Sequence, residues 1–224
     1  MKVSEIFYSI QGEGTLAGQP SVFIRLAGCP LRCRWCDTKY AWDVGAACDH
    51  DVSEIVEHIR KQQCSHVVIT GGEPFINSRL PELTARIKVP GRHITIETCG
   101  IEFVDDLNCD LMSISPHLSN STPTDPASAV SHERRRLNLP ALNNLINRYN
   151  YQLKFVVENR DDIDEIKQLL TRLAGVDQRR VMLMPQATNR DEYLRKVPLV
   201  AELCKQTGWR FSPRLQLLLE SKCR

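Results

Sequence analysis

The 224-residue chain is predicted to be an α/β protein: an incomplete, open (βα)6-type barrel with mostly parallel strands. Three observations lead there. Short apolar runs alternate with amphipathic segments, the signature of repeated βα units and a parallel sheet. The runs number six, too few to close an eight-stranded barrel. Polar and glycine-bearing loops follow the runs, where such folds keep their chemistry.

The elements follow in order. Residues 3–9 (VSEIFYS) are read as an additional first strand. The first of the six runs, 21–27 (SVFIRLA), leads into the loop GCPLRCRWCDT. A helix is predicted over 52–63, then a strand over 67–70 ending in TGGEP. A helix over 79–88 precedes the strand 93–97, which ends in ETCG. The strand 111–115 ends in SISPH. Residues 119–133 are rich in Ser, Thr and Pro and read as a surface loop. A helix over 139–149 leads to the strand 152–157. The helix 161–174 starts on the acidic pair Asp161-Asp162, which suits the positive end of the helix dipole, and stops before Gly175. The last run, 181–184, is followed by a helix over 191–207, stopped by Gly208. No repeat or linker interrupts this alternation, so residues 1–224 are read as a single domain.

Composition narrows the class. With 42% hydrophobic residues the chain can bury one sizeable core. A net charge of +2, from 29 basic and 27 acidic residues, implies neither nucleic acid nor an anionic membrane as a partner. The start, MKVSEIFYSIQGEG, has no apolar h-region, and no run reaches the ~20 apolar residues of a membrane span. A cytoplasmic protein is therefore expected. Nine cysteines are present, an odd number, and a reducing compartment disfavours disulfides. Cys48, Cys64, Cys99, Cys109, Cys204 and Cys223 are scattered and read as small buried hydrophobes. Of these, Cys48 is near enough in sequence to act as a fourth ligand.

The other three cysteines carry the chemistry. Cys29, Cys33 and Cys36 have the spacing C-x3-C-x2-C. Three thiolates on one short loop can hold three irons of a [4Fe–4S] cluster and leave the fourth iron open to a small molecule. That points to catalysis rather than electron storage. A structural zinc site would need a fourth closed ligand, such as Cys48 or Asp37. Gly28 and Pro30 favour a tight turn that faces the thiolates inward.

The trio, followed one βα unit later by Thr70-Gly71-Gly72-Glu73-Pro74, resembles the radical S-adenosylmethionine superfamily. The resemblance implies that S-adenosylmethionine chelates the open iron and is cleaved to methionine and a 5′-deoxyadenosyl radical. The protein's share is positioning and exclusion of water. It also implies cofactor contacts from Trp35, Cys36, Asp37, Gly72, Ser113, Ile114 and Ser115, and from Met184, Pro185, Gln186 and Ala187 near the adenine. Read as residues alone, Trp35 can equally be packing, TGGEP a turn with Pro74 opening a helix, and Ser113 to Ser115 a polar strand end.

FYSIQGEG, then FIRLAGC, then WCDT further resemble the 7-carboxy-7-deazaguanine synthase family, over most of the chain. That family contracts the ring of 6-carboxy-5,6,7,8-tetrahydropterin with loss of ammonia, in the pathway to queuosine and other 7-deazapurines. The abstracted hydrogen returns, so the cofactor is used catalytically. The resemblance implies a homodimer, an external electron donor such as flavodoxin or ferredoxin, and Mg2+ held by Thr38. From chemistry alone Thr38 is a helix cap. The flat, anionic pterin suits the backbone of Ile10, Gln11 and Gly12, with Glu13 accepting from its amino-pyrimidine edge. Arg25 lies in an apolar strand and needs an anion, either the substrate carboxylate or a core Asp or Glu. Thr70, Arg214 and Gln216 complete the substrate contacts. No residue is nominated as a general acid or base. Two departures are visible: His117 stands where many relatives carry lysine, and the tail around Gln216 lacks a histidine. A glycyl-radical activase and a zinc-stabilised binding module are the alternative functions.

Overall fold

A computed structural model describes residues 1–219. One sheet of nine strands orders as β3-β1-β2-β4-β5-β6-β7-β8-β9. β1 (Lys2–Ile10) runs antiparallel to β2 (Pro20–Leu26) and to the two-residue β3 (Cys48–Asp49). From β2 the sheet is parallel through β4 (His66–Gly71), β5 (His93–Thr98), β6 (Leu111–Ile114), β7 (Tyr151–Val157), β8 (Val181–Pro185) and β9 (Arg210–Phe211). The outermost strands, β3 and β9, do not pair with each other, so the barrel is open. The six strands expected from the apolar runs are β2 and β4 to β8; the two-residue β3 and β9 are too short to leave a pattern.

Six helices connect the strands: α1 (Val52–Lys61), α2 (Leu80–Ile87), α3 (Pro126–Arg135), α4 (Leu139–Arg148), α5 (Asp162–Thr171) and α6 (Arg190–Thr207). α1 starts in a capping box, with Asp51 and Glu54 each accepting from the other's backbone N–H. α6 ends at Gly208, which takes the left-handed conformation that stops a helix. α3 corrects the expectation of a surface loop over 119–133. Ser, Thr and Pro there read as a loop, but Asp125 caps the helix by accepting from the Ser128 N–H, and Pro126 occupies its first turn, where no N–H is needed.

Side chains alternate across the sheet, and this period places the site. Val22, Ile24, Leu26, Val67, Ile69, Ile94, Ile96, Met112, Ile114, Leu153 and Phe155 point to one face and form the main core with the helices. Their neighbours Arg25, Thr70, Glu97, Ser113, Gln152 and Lys154 therefore point to the other, concave face. The register aligns them: Arg25 lies opposite Thr70, Glu97 opposite Ser113, and Ser113 opposite Gln152.

Two expectations about cysteines are also settled. Cys99 and Cys204 are buried and Cys64 and Cys109 half-buried, whereas Cys48 is exposed on β3, which has only β1 beside it. The reading of Cys48 as a buried hydrophobe is thus incorrect: a two-residue edge strand has nothing packed over it. Cys223 lies outside the described residues.

Candidate active site

The cysteine loop is stitched to the glycine loop through the backbone. Gly72 N–H donates to Leu26 C=O (3.0 Å), Glu73 N–H to Gly28 C=O (2.8 Å), and Gly28 N–H to Ala41 C=O (2.8 Å). A Cβ on Gly72 would stand 2.3 Å from the Gly28 oxygen and 2.8 Å from Cys29 Cβ. No side chain fits, so a small residue is needed for this approach. Gly72→Ala is expected to push the cysteine loop away and lower the rate of S-adenosylmethionine cleavage at least tenfold, as measured by 5′-deoxyadenosine release.

Glu73 is the peg between the two loops. It is 1% exposed. Oε1 accepts from Phe75 N–H (3.0 Å) and the Thr98 hydroxyl (2.8 Å), and Oε2 from Cys99 N–H (2.8 Å) and the Cys99 thiol (2.8 Å). Burial pushes its carboxyl up, against the pull of these hydrogen bonds.

Cys29, Cys33 and Cys36 pack with Leu31, Trp35, Cys99 and Ile101 in a small apolar cluster apart from the main core. Burial pushes the Cys29 thiol up to about 12 and raises the Cys33 thiol further. Thiolates so buried need a cation to form, and an iron cluster supplies one. Among the described residues no three His, Cys, Asp or Glu side chains converge as a single-ion site. A cluster does not require that, because each thiolate takes a separate iron. The donor set fits a [4Fe–4S] cluster.

Around this loop, Thr38 occupies the cap position of a short 3-10 turn but makes no side-chain cap bond; its hydroxyl lies 3.6 Å from Cys36 Sγ. Trp35 Nε1 donates to Asn120 Oδ1 (3.1 Å), and its ring meets His117 edge-on at 5.3 Å. Ser113 accepts from Gln152 Nε2 (2.9 Å) and Ser115 donates to Lys154 C=O (3.1 Å). The Ile114 side chain is in the main core, leaving only its backbone for a ligand. Met184 and Pro185 end β8, and Gln186 and Ala187 follow it.

The polar floor lies beside the loop. Glu97 accepts from Gln11 Nε2 (3.2 Å) and from the Thr70 hydroxyl (3.2 Å). Lys154 Nζ lies 2.7 Å from Glu13 Oε2 and 3.5 Å from Glu97 Oε1. Gln216 Nε2 donates to Glu13 Oε1 (2.8 Å), and Leu215 N–H donates to Gly12 C=O (3.0 Å). Arg214 is 6% exposed, donates to Ala187 C=O, and pairs with Asp37 at 2.5 Å. The C-terminal segment thus joins Gly12, Glu13, Asp37 and Ala187. Arg25, opposite Thr70 in the register, pairs with Glu5 at 2.8 Å and lies over the rings of Phe7 and Tyr40.

Glu97, Lys154 and Cys99 were missed by the sequence reading. Lys154 carries a usable signal, a cation in the largely apolar strand YQLKFVV, as does Arg25 in its own strand. Glu97 and Cys99 stand in the ETCG strand end, but nothing local tells them from solvated residues.

Three cysteines, Cys33 buried and Cys29 and Cys36 half-buried, held against a glycine loop where the parallel strands end, define a radical S-adenosylmethionine enzyme. A family model described as the Radical SAM superfamily matches residues 23–121. Two curated relatives are each called 7-carboxy-7-deazaguanine synthase. That of Halobacterium salinarum is 39% identical, covering 98% of this chain and 90% of its own. That of Rhodopirellula baltica is 37% identical, covering 96% and 84%. The crystal structure of QueE from Escherichia coli superposes with a TM-score of 0.70 at 28% identity, covering 94% of this chain and 92% of that one. This chain belongs to the 7-carboxy-7-deazaguanine synthase family. Its superfamily carries a [4Fe–4S] cluster and S-adenosylmethionine and takes an electron from an external donor.

Proposed function

We propose that this chain converts 6-carboxy-5,6,7,8-tetrahydropterin to 7-carboxy-7-deazaguanine with loss of ammonia. The observation that carries the reading is the polar floor of Gln11, Glu13, Thr70, Glu97 and Lys154 beside the cysteine loop, an acceptor- and donor-rich face suited to a flat heterocycle. With the cluster and S-adenosylmethionine bound, the cofactor supplies a carbon radical that removes a hydrogen from the substrate.

The chain's own residues bind and orient. Cys29, Cys33 and Cys36 hold the cluster. Trp35, Cys36, Asp37, Gly72 and residues 113–115 and 184–187 seat S-adenosylmethionine. The backbone of residues 10–12 and the carboxylate of Glu13 take the pterin edge. Thr70 and Gln216 add hydrogen bonds. Arg25, Arg214 and a Mg2+ on Thr38 hold the substrate carboxylate, Mg2+ being a cation that prefers oxygen ligands. The unused cap bond of Thr38 supports that role. The protein works as one domain and as a homodimer in the cytoplasm, with flavodoxin or ferredoxin as electron donor. No described helix is long and apolar enough to cross a membrane.

The test is an anaerobic assay of the reconstituted protein with S-adenosylmethionine, dithionite, Mg2+ and 6-carboxytetrahydropterin, read by mass spectrometry. 7-Carboxy-7-deazaguanine is the expected product. Arg25→Ala is expected to raise KM about tenfold or more, through loss of a charged hydrogen bond, while the cluster stays intact. Cofactor cleavage without this product would refute the substrate.

A further inference from the structure

Lys154 is a cation enclosed in the middle of β7, a strand buried along its whole length. Its side chain is 3% exposed. An ammonium in that position is strongly unfavourable unless it is paired and hydrogen-bonded. The binding scheme counts it in the polar floor but gives it no contact of its own. Its partners are Glu13, from the loop after β1, and Glu97, from the end of β5.

The two oxygens of Glu13 are held differently. Oε2 is fixed by Lys154, an interior side chain on a central strand. Oε1 lies 3.4 Å from Arg214 Nε and accepts a hydrogen bond from Gln216, an exposed side chain near the end of the described chain. A Cβ on Gly12 would meet Gln216 Oε1 at 1.9 Å, so the Gln216 carboxamide lies directly over the Gly12 backbone. The amide thus donates to Glu13 across the Gly12 backbone.

We propose that Lys154 is a positioning residue: it clamps Glu13 through Oε2 so that Oε1 is left as an acceptor on the polar floor, a place held by Gln216 until the pterin's amino edge takes it. The inference rests on the reading of Glu13 as a pterin contact. The groups that face Glu13 are Lys154 from β7, Arg214 and Gln216 from the C-terminal segment, and Gln11, whose Oε1 accepts from the Glu13 N–H (3.1 Å). Glu97 lies beyond Lys154, and Asp37 beyond Arg214.

The sign of the pH effect follows. Burial pushes the Glu13 carboxyl up, but Lys154 and then Arg214 pull it below the usual carboxylate range. Native Glu13 stays ionised, and its affinity for the pterin stays flat with pH. Without the Lys154 charge, only Arg214 and Gln216 oppose burial, so the Glu13 carboxyl rises and takes up a proton more readily as pH falls, losing acceptor strength.

The experiment is calorimetric titration of the holoenzyme, with S-adenosylmethionine present, using 6-carboxypterin, a non-reacting oxidised probe. Lys154→Met is expected to weaken binding about tenfold near pH 7, and further near pH 5, where the native protein changes little. Lys154→Arg should restore affinity and flatness, and Lys154→Gln serves as the neutral variant if Lys154→Met does not fold. In a Glu13→Gln background, Lys154→Met should weaken binding no further. A further loss there would mean that Lys154 acts only on the fold, and would overturn the proposal. So would native, pH-flat affinity in Lys154→Met when Glu13→Gln itself binds weakly. Native affinity in Glu13→Gln would instead refute the pterin contact on which the proposal rests.

Discussion

Cys33→Ala is expected to abolish both S-adenosylmethionine cleavage and product formation while leaving the fold intact. Cys33 is 5% exposed and packs with Leu31, Cys99 and Ile101. Trimming a thiol to a methyl there removes little volume, so the cost to stability stays at about 1 kcal/mol. The cost to chemistry is of another order. One iron loses its protein ligand, and the open iron is defined only when the other three are held. Iron content should fall, and 5′-deoxyadenosine should drop below detection, with circular dichroism unchanged. Cys99→Ser is the informative control. Its thiol already donates to Glu73, and a hydroxyl can do the same. That variant should keep its iron and its cofactor cleavage. Loss of iron in Cys99→Ser equal to that in Cys33→Ala would show a four-cysteine site and leave no open iron.

Glu73→Ala is expected to be the most destabilising single change in the site. All four hydrogen bonds to Glu73 are donated to it, two of them by the backbone N–H groups of Phe75 and Cys99. Alanine strands those donors in a buried place, at a cost of about 4 kcal/mol. For a chain of this size that lowers the melting temperature by about 10 °C. Glutamine does not rescue it. Whichever way its amide is turned, the NH2 group faces a backbone N–H that can only donate. Glu73→Gln is thus expected to lose more than 1 kcal/mol in a thermal melt. A Glu73→Gln protein as stable as the native one would mean that the carboxylate pegs nothing. Because Glu73 N–H also joins Gly28, both variants should loosen the cysteine loop and bind iron less tightly.

Much of the architecture is legible locally. The six apolar runs match β2 and β4 to β8, since a strand buried on both faces leaves a continuous apolar stretch. α3 was not legible. Ser, Thr and Pro suit both a loop and a capped helix start, and the helix is secured by tertiary contacts. His132 is 1% exposed, and its Nε2 lies 2.8 Å from Ser121 Oγ. The edge strands β3 and β9 have two residues each and follow from their neighbours rather than from their own residues.

The same division holds in the site. The trio's spacing and the place of TGGEP one unit later are properties of the chain, because the eight residues from Cys29 to Cys36 suffice to define a ligand set. Family membership follows from those segments together with FYSIQGEG. Tertiary structure alone decided what stands around them. Lys154 meets Glu13 across 141 residues, and Gln216 meets it across 203. Cys99 joins the thiol cluster because the end of β5 lies beside the glycine loop. Arg25 finds Glu5 because β1 turns back along β2. Such pairings depend on strand order and register, which no local stretch encodes, and on the cost of burying a charge, which is paid only once the sheet has closed around it.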